Sequence, residues 1–375
     1  MTYPSDLTNK SRQGGTGNIV VSRMSEEDRA AVLDLVKNIY GDELTRNKII
    51  QWEWLYGKNP NNPPEGPRAM IVRDGEKLVG LFRCIPVPCK VGDSYYLIDW
   101  NVDLMIHPEY RGKGLAMKLS RALLDDGDAN TGLPLTNSPT YKILEKLNGR
   151  FLDVAPFPQI IRPFKMQAYA RAVLKIPLVS HTFALLLGVY YALVVNRRTY
   201  EPDIHVKVEK IERFDNSFDD FWENVQHDYP VIVKRDSRYL NWKFFDRPDL
   251  EYTVYRASRN NVLEGYIVLR DEERFGVRTG FVVDILSRKK DIGVIESLLV
   301  TALNRFRERG MDQVSAQSFF VPTFRKVFSR MGFITKPSRR VRRIVLTINN
   351  KSMPRDVLAD PENWFITRNY AHQEM

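Results

Sequence analysis

The chain has 375 residues, of which 43% are hydrophobic and 27% are charged. These values exclude an intrinsically disordered protein, and the length predicts two domains. The net charge of +10 favours anionic ligands or surfaces, but the basic residues are scattered apart from residues 339–343, so nucleic-acid binding is disfavoured. Cys84 and Cys89 fit no common zinc pattern, so we expect no metal site and a reducing, cytoplasmic location.

The first predicted elements are a polar lead-in followed by a β-hairpin. Residues 1–18 lack the apolar core of a secretion signal, and we expect a flexible N-terminus there. After Trp54, residues 70–82 predict two strands joined by a tight Asp74-Gly75 turn. A further strand is predicted over residues 95–106.

This strand carries two candidate acids. Regular alternation puts Asp99 and Asp103 on one face, together with Asn101 and Met105. Either carboxylate could accept a proton if burial raises its pKa, and we prefer Asp103 because it is nearer the turn that follows. Two alternatives stay open: the carboxylates could serve only to bind arginine or backbone N–H groups, and a strand bulge would reverse the alternation.

A glycine-rich turn after Pro108 opens an amphipathic helix that begins at Leu115. Gly112 and Gly114 stand where the first helical N–H groups lack partners, so the turn predicts an anion site. Arg111 and Lys113 add positive charge. The sequence has neither the G-x-G-x-x-G pattern of dinucleotide folds nor the Ser/Thr after lysine that a Mg²⁺-binding phosphate loop needs.

The run from Arg111 to Ala116, preceded by Ile106-His107-Pro108, closely resembles motif A of the GCN5-related N-acetyltransferases, the GNAT superfamily. The resemblance implies a twisted mixed sheet in which two parallel strands splay apart and acetyl-CoA lies in the gap. It assigns cofactor binding to Leu104, Met105, Ile106, Arg111, Gly112, Lys113, Gly114, Leu115 and Ala116. The family's N-x-x-A-x-x-x-Y motif is incomplete here. Asn137 is kept as a cofactor contact, but Leu144 stands where the family has the tyrosine that acts as general acid. Tyr141, one helical turn earlier, is the candidate substitute, and solvent is the alternative proton source.

An apolar segment follows the first repeat. Residues 176–195 contain no Asp, Glu, Lys or Arg and are long enough to cross a bilayer. A spanning helix would separate two similar halves on opposite sides of a membrane, so we expect a linker helix buried between the domains. Association with a membrane surface is the alternative.

The plan of the first half then recurs. Trp242 and Pro248 repeat the spacing of Trp54 and Pro60, and strands, an amphipathic helix and a final β-α unit follow in the same order. The counterpart of the glycine-rich turn, residues 287–293, has one glycine and carries Asp291, whose charge would repel a phosphate. The second half is therefore predicted to be degenerate.

Taken together, the sequence predicts an α/β protein of α+β character with mixed sheets, in which an apolar helical linker joins two GNAT-like domains. The expected boundaries are 1–18, 19–165 (catalytic), 166–203 (linker), 204–350 (degenerate) and 351–375 (tail). The resemblance implies transfer of acetyl from acetyl-CoA to a small-molecule or peptide amine by direct attack in a ternary complex, with no metal. Two alternatives stay open, a non-catalytic acyl-CoA-binding or scaffold protein and an acyltransferase that acts on cell-envelope or polysaccharide precursors.

Overall fold

The computed structural model describes residues 18–64, 66–136, 138–147, 150–166, 170, 177–191, 193, 203–336, 338 and 341–370. These residues form two mixed sheets, one of nine strands and one of seven, with helices packed on them. The predicted fold class, a mixed α/β protein with two similar halves, is confirmed.

The first half contains β1 (Ile19–Arg23), α1 (Arg29–Tyr40), α2 (Asp42–Trp52), β2 (Ala69–Asp74), β3 (Lys77–Val91), β4 (Ser94–Ile106), α3 (Leu115–Asp125), β5 (Ala129–Gly132), α4 (Pro139–Glu145), β6 (Phe151–Pro156) and β7 (Gln159–Pro163). A π-helical turn, Glu53–Gly57, follows α2, and helix α5 (Pro177–Tyr190) leads towards the second half. The predicted hairpin is present as β2 and β3.

The second half contains β8 (Lys207–Ile211), α6 (Ser217–Val225), β9 (Val231–Val233), α7 (Ser237–Phe244), β10 (Thr253–Arg259), β11 (Val262–Arg274), β12 (Val277–Ser287), α8 (Ile292–Glu308), β13 (Gln313–Gln317), α9 (Pro322–Arg330), β14 (Ile334–Thr335), β15 (Arg343–Ile348), α10 (Arg355–Ala359) and β16 (Trp364–Phe365). Its strands β10, β11 and β12 pair in the same order as β2, β3 and β4. The repeat seen in the sequence is thus a repeat of structure.

The two halves exchange strands. The first sheet runs β1-β2-β3-β4-β5-β15-β6, so β15 of the second half lies between two strands of the first. Two further strands of the second half complete its nine: β9 pairs with β3, and β16 pairs with β9. The second sheet runs β14-β7-β13-β12-β11-β10-β8, so β7 of the first half lies between β13 and β14. Each sheet is therefore completed by strands of the other half. The expected boundaries 19–165 and 204–350 consequently do not coincide with the division between the two sheets.

The equivalent tryptophans of the repeat meet where the halves join. Trp54 and Trp242 stack with ring centroids 4.9 Å apart. The Trp54 indole N–H donates to the Trp242 carbonyl at 2.7 Å, and the Trp242 N–H donates to the Trp54 carbonyl at 2.9 Å. Both side chains are buried, so these reciprocal bonds satisfy polar groups that would otherwise be costly to bury.

Helix α5 lies on the surface, which corrects the expectation that the linker is buried between the domains. Ala184 and Tyr191 are buried, but the side chains of Leu185, Leu186 and Val189 on the opposite face are more than half exposed. Among the described side chains of the helix, Ala184 therefore faces the protein and these three face outward. Among the described residues, no helix combines the length and the apolar character needed to cross a membrane.

Candidate acyl-CoA and acceptor site

Strands β4 and β5 form a gap at the centre of the first sheet. They pair in parallel only from Ile98 to Trp100, opposite residues 129–131. Beyond Trp100, β4 continues to Ile106 and pairs with β3 alone. The edge of β4 that includes Leu104, Met105 and Ile106 therefore faces an opening between two neighbouring strands, as the resemblance implied.

The glycine-rich turn lies at the end of β4 and leads into α3. Gly112 and Gly114 have φ values of +79° and +76°, a region that a side chain disfavours, and Gly114 is the residue before the first helical turn. Within the described part of the chain, the backbone N–H groups of residues 112–116 make no hydrogen bond. Residues 111–114 are exposed, so these donors are open to an anion.

Buried amides without partners lie beside the gap. Asn130, on β5, is almost fully buried, and neither its amide nitrogen nor its oxygen has a hydrogen-bond partner in the described structure. The side-chain oxygen of Asn101, on β4, is also buried without a hydrogen-bond partner in the described structure. Unpaired buried polar atoms are rare, so these amides mark a place where a polar ligand would be bound. The gap, the turn and the amides together fit a pantetheine chain that ends in a diphosphate.

The second half keeps the gap but not the anion site. Strands β12 and β13 pair only from Thr279 to Phe281, opposite residues 313–315. The link to α8 is short, and the Asp291 carboxylate accepts a hydrogen bond from the Val294 N–H at 3.1 Å. A carboxylate therefore occupies the helix N-terminus that a phosphate would need, as expected for a degenerate copy.

A bulge in β4 changes the predicted faces. Arg83 of β3 pairs with Asp103 and Cys84 with Asn101, so Val102 is an extra residue. The alternation reverses at Val102, and Asp99 and Asp103 point to opposite sides of the sheet. The prediction that the two carboxylates share a face is therefore wrong, because a strand bulge reverses the alternation between them.

Asp99 lies in a buried ion pair. Its carboxylate accepts a hydrogen bond from Arg68 Nε at 3.1 Å, and both side chains are almost completely buried. Burial raises the pKa of Asp99, although Arg68 acts to lower it. Asp99 therefore has a stabilising partner and faces the side of the sheet where α3 packs.

Asp103 faces α1 and α2, where it contacts two cations. Its carboxylate accepts hydrogen bonds from Arg83, on β3, and from Lys48 Nζ, on α2, at 3.0 Å. Arg83 is 1% exposed, and its Nε has no partner in the described residues. Asp103 is thus held between two basic side chains, one from the sheet and one from α2.

Lys48 is the residue that the sequence analysis missed. Burial lowers its pKa to about 7, the neighbouring charges of Arg83 and Arg247 act in the same direction, and the carboxylate of Asp249 acts to raise it. Arg247 comes from the second half, where it pairs with Asp249, and Asp249 accepts a hydrogen bond from Gln51 of α2 at 2.9 Å. No sequence pattern marks Lys48, because its environment is assembled from α2, β3 and a loop about 200 residues away.

The remaining predicted residues lie apart from this cluster. The Tyr141 hydroxyl donates to Asp153 at 2.6 Å, and this bond raises the pKa of Tyr141 to about 12. A hydroxyl held in this way is a poor proton donor for a thiolate. Asn137 lies outside the described residues.

The carboxylate equivalent to Asp103 in the second half is covered. Asp284 follows the same bulge in β12 and is fully buried. It accepts hydrogen bonds from Tyr266 at 2.8 Å, from Thr367 at 2.7 Å and from Asn369 at 3.1 Å, and it pairs with Arg235. The chain after β16 thus fills the space that corresponds to the Asp103 side of the first half.

Comparison with known proteins agrees with this architecture. Residues 20–146 match the sequence model of the acetyltransferase (GNAT) domain family. No curated protein matches the chain in sequence.

Solved structures share the fold at low identity. A GCN5-related N-acetyltransferase from Anabaena variabilis is 12% identical, with a TM-score of 0.58 over 88% of this chain and 72% of that one. A probable N-acyltransferase from Enterococcus faecalis is 13% identical, with a TM-score of 0.59 over 89% and 73%. N-myristoyltransferase of Saccharomyces cerevisiae with bound myristoyl-CoA is 13% identical, with a TM-score of 0.53 over 91% and 81%. Residues 20–146 therefore match the GNAT domain model, and the chain as a whole shares the fold of these structures, built from two similar halves.

Proposed function

We propose that the protein is an acyl-CoA-dependent N-acyltransferase that moves acetyl from acetyl-CoA to an amine. The observation that carries the proposal is the opening of β4 from β5 directly beside a glycine-rich helix start with free N–H groups. Leu104, Met105 and Ile106 line the open edge, and residues 111–116 would hold the diphosphate. Cys84 and Cys89 are buried and form no disulfide, which supports a cytoplasmic location as part of this proposal.

In the proposed reaction the acceptor binds on the α1 and α2 side of the sheet and attacks in a ternary complex. The ammonium first gives one proton to Lys48, which is partly neutral near pH 7 because burial lowers its pKa. The amine nitrogen then forms a bond to the thioester carbonyl carbon, the carbon–sulfur bond breaks, the nitrogen releases its second proton to solvent, and the coenzyme A thiolate takes a proton from solvent. Asp103 accepts a hydrogen bond from Lys48 and is itself held by Arg83.

The donor site is tested by binding before any acceptor is known. Acetyl-CoA at 100 times its Kd should raise the free energy of unfolding by about 2.7 kcal/mol, measured as a thermal shift. Arg111→Ala should weaken binding, while Arg213→Ala, an exposed arginine of the second half, should not. Absence of any shift with wild-type protein would remove the basis of the proposal.

Catalysis is tested by release of free coenzyme A in the presence of amines of different classes. Release that depends on an amine supports the transferase. If acetyl-CoA binds but no amine class causes release of coenzyme A, the alternative of a non-catalytic acyl-CoA-binding protein is favoured. The observation that supports this alternative is that the Tyr141 hydroxyl already donates its proton to Asp153.

A further inference from the structure

The outer face of α5 is an apolar surface without partners in the described structure. Leu185, Leu186, Val189 and Leu193 are 60%, 67%, 54% and 51% exposed. No charged residue occurs between residues 176 and 195. Exposed apolar side chains of this size, grouped on one helix face, mark an interaction surface.

Just beyond the described end of this helix, the chain contacts a strongly basic segment. The Tyr191 hydroxyl donates a hydrogen bond to the Gly332 carbonyl, which follows α9. Residues 321–343 contain no Asp or Glu and eight Lys or Arg residues. Of the described ones, Arg325, Arg330 and Arg343 pair with Glu362, Glu296 and Asp153, and Arg342 donates to the Leu133 carbonyl. The exposed Lys326 and Lys336 take part in no ion pair of the described part of the chain.

We propose that α5 and the adjoining basic segment together bind the surface of a bilayer that contains anionic lipid. Leu185, Leu186 and Val189 lie on an exposed helix face that can rest in the interface among the acyl chains. Lys326 and Lys336 would then contact the headgroups. The proposal is independent of the acyltransferase activity.

Charge distinguishes a bilayer from a second copy of this chain as the occupant. A symmetric dimer formed through α5 would bring two copies of residues 321–343 close together, and their positive charges would repel. An anionic membrane satisfies both parts of the surface at once, because it offers an apolar layer under a layer of negative charge.

The test is sedimentation of the full chain with vesicles of phosphatidylcholine alone or of phosphatidylcholine mixed with phosphatidylglycerol. We expect binding to the mixed vesicles, weakened by added salt, and at least about tenfold weaker binding for the double variant Leu185→Glu and Leu186→Glu. The matched control is Val262→Glu with Phe275→Glu, which also replaces two exposed apolar residues and changes the net charge equally.

A second pair of variants distinguishes the contribution of the basic segment to vesicle binding from the effect of the protein's net charge. Lys326→Ala with Lys336→Ala should weaken binding to the mixed vesicles, and Lys207→Ala with Lys210→Ala, outside the segment, should not. Circular dichroism and light scattering of each variant report folding and oligomeric state. Wild-type protein that fails to bind the mixed vesicles, or wild-type dimers that become monomers when residues 185 and 186 are replaced, would overturn the proposal.

Discussion

The two aspartates of β4 differ in role because of one extra residue. Asp99 pairs with Arg68 in the interior, so Asp99→Asn should lower the free energy of unfolding by roughly 3 kcal/mol, since it leaves a buried guanidinium with one carboxylate fewer. Asp103→Asn, on the opposite side of the bulge, should lower kcat by roughly 100-fold with a smaller loss of stability. Urea unfolding and coenzyme A release measure the two effects. Equal losses of activity in both variants at equal stability would contradict the assignment.

Lys48 should give the reaction its pH dependence. If the neutral amine takes the proton, kcat/KM rises through about pH 7, the pKa of Lys48. Lys48→Arg keeps the positive charge beside Asp103, but the arginine cannot lose its proton near pH 7. This variant should therefore be less active at every pH, and its kcat/KM should show no inflection near pH 7. A variant that keeps the inflection would point to Asp103 or to the acceptor itself.

The same residue links stability to pH. The pKa of Lys48 is lower in the folded chain than the usual 10.5, so the unfolded chain binds more protons between about pH 7 and 10. The free energy of unfolding contributed by this group should therefore rise with pH over that window and be lowest below about pH 7. Lys48→Met removes this dependence, and urea titrations at three pH values would show whether the slope disappears.

At this scale the sequence identifies types of residue better than their directions. The carboxylates of β4, the glycines of the turn and the equivalence of Trp54 and Trp242 in the repeat could all be predicted from pattern. The bulge at Val102 could not, because it has no local signal and depends on how β3 and β4 register. Lys48 is missed for a related reason: its pKa depends on contacts that form only when both halves fold.

At the scale of elements, the start of α3 is the part that makes the cofactor site. Gly114→Asp would place a carboxylate at the end of the helix that attracts anions, as Asp291 does in the second half, so acetyl-CoA affinity should fall by about 10-fold or more. Gly276→Asp is the matched control, since Gly276 also has a positive φ, +69°, but lies in the hairpin between β11 and β12. Calorimetric titration measures both, and equal weakening by the two variants would show a general effect of strain.

Helix α5 shows what composition leaves undecided. Its lack of charge correctly indicates an apolar helix, but the same composition suits burial between domains, a bilayer span or a surface position. The structure favours the surface position through the exposed side chains of Leu185, Leu186 and Val189.

For the whole molecule, the exchange of β7 and β15 makes the halves mutually dependent. Sequence repeats identify equivalent strands but not which sheet each one joins, because strand pairing over such distances has no local signal. Without β15, strands β5 and β6 would each have an unpaired edge inside the first sheet. The composite cluster of Lys48, Arg247 and Asp249 depends on the same union.

The chain should therefore unfold as one cooperative unit. Leu346→Ala removes a fully buried side chain from β15 in the first sheet, and Ile161→Ala does so from β7 in the second. Each should lower the free energy of unfolding by about 2–5 kcal/mol and shift a single transition, followed both by tryptophan fluorescence and by circular dichroism. The exposed substitution Val262→Ala serves as the control and should leave the midpoint almost unchanged. If the halves were independent, two transitions would appear, and each core variant would move only the transition of the sheet that contains it.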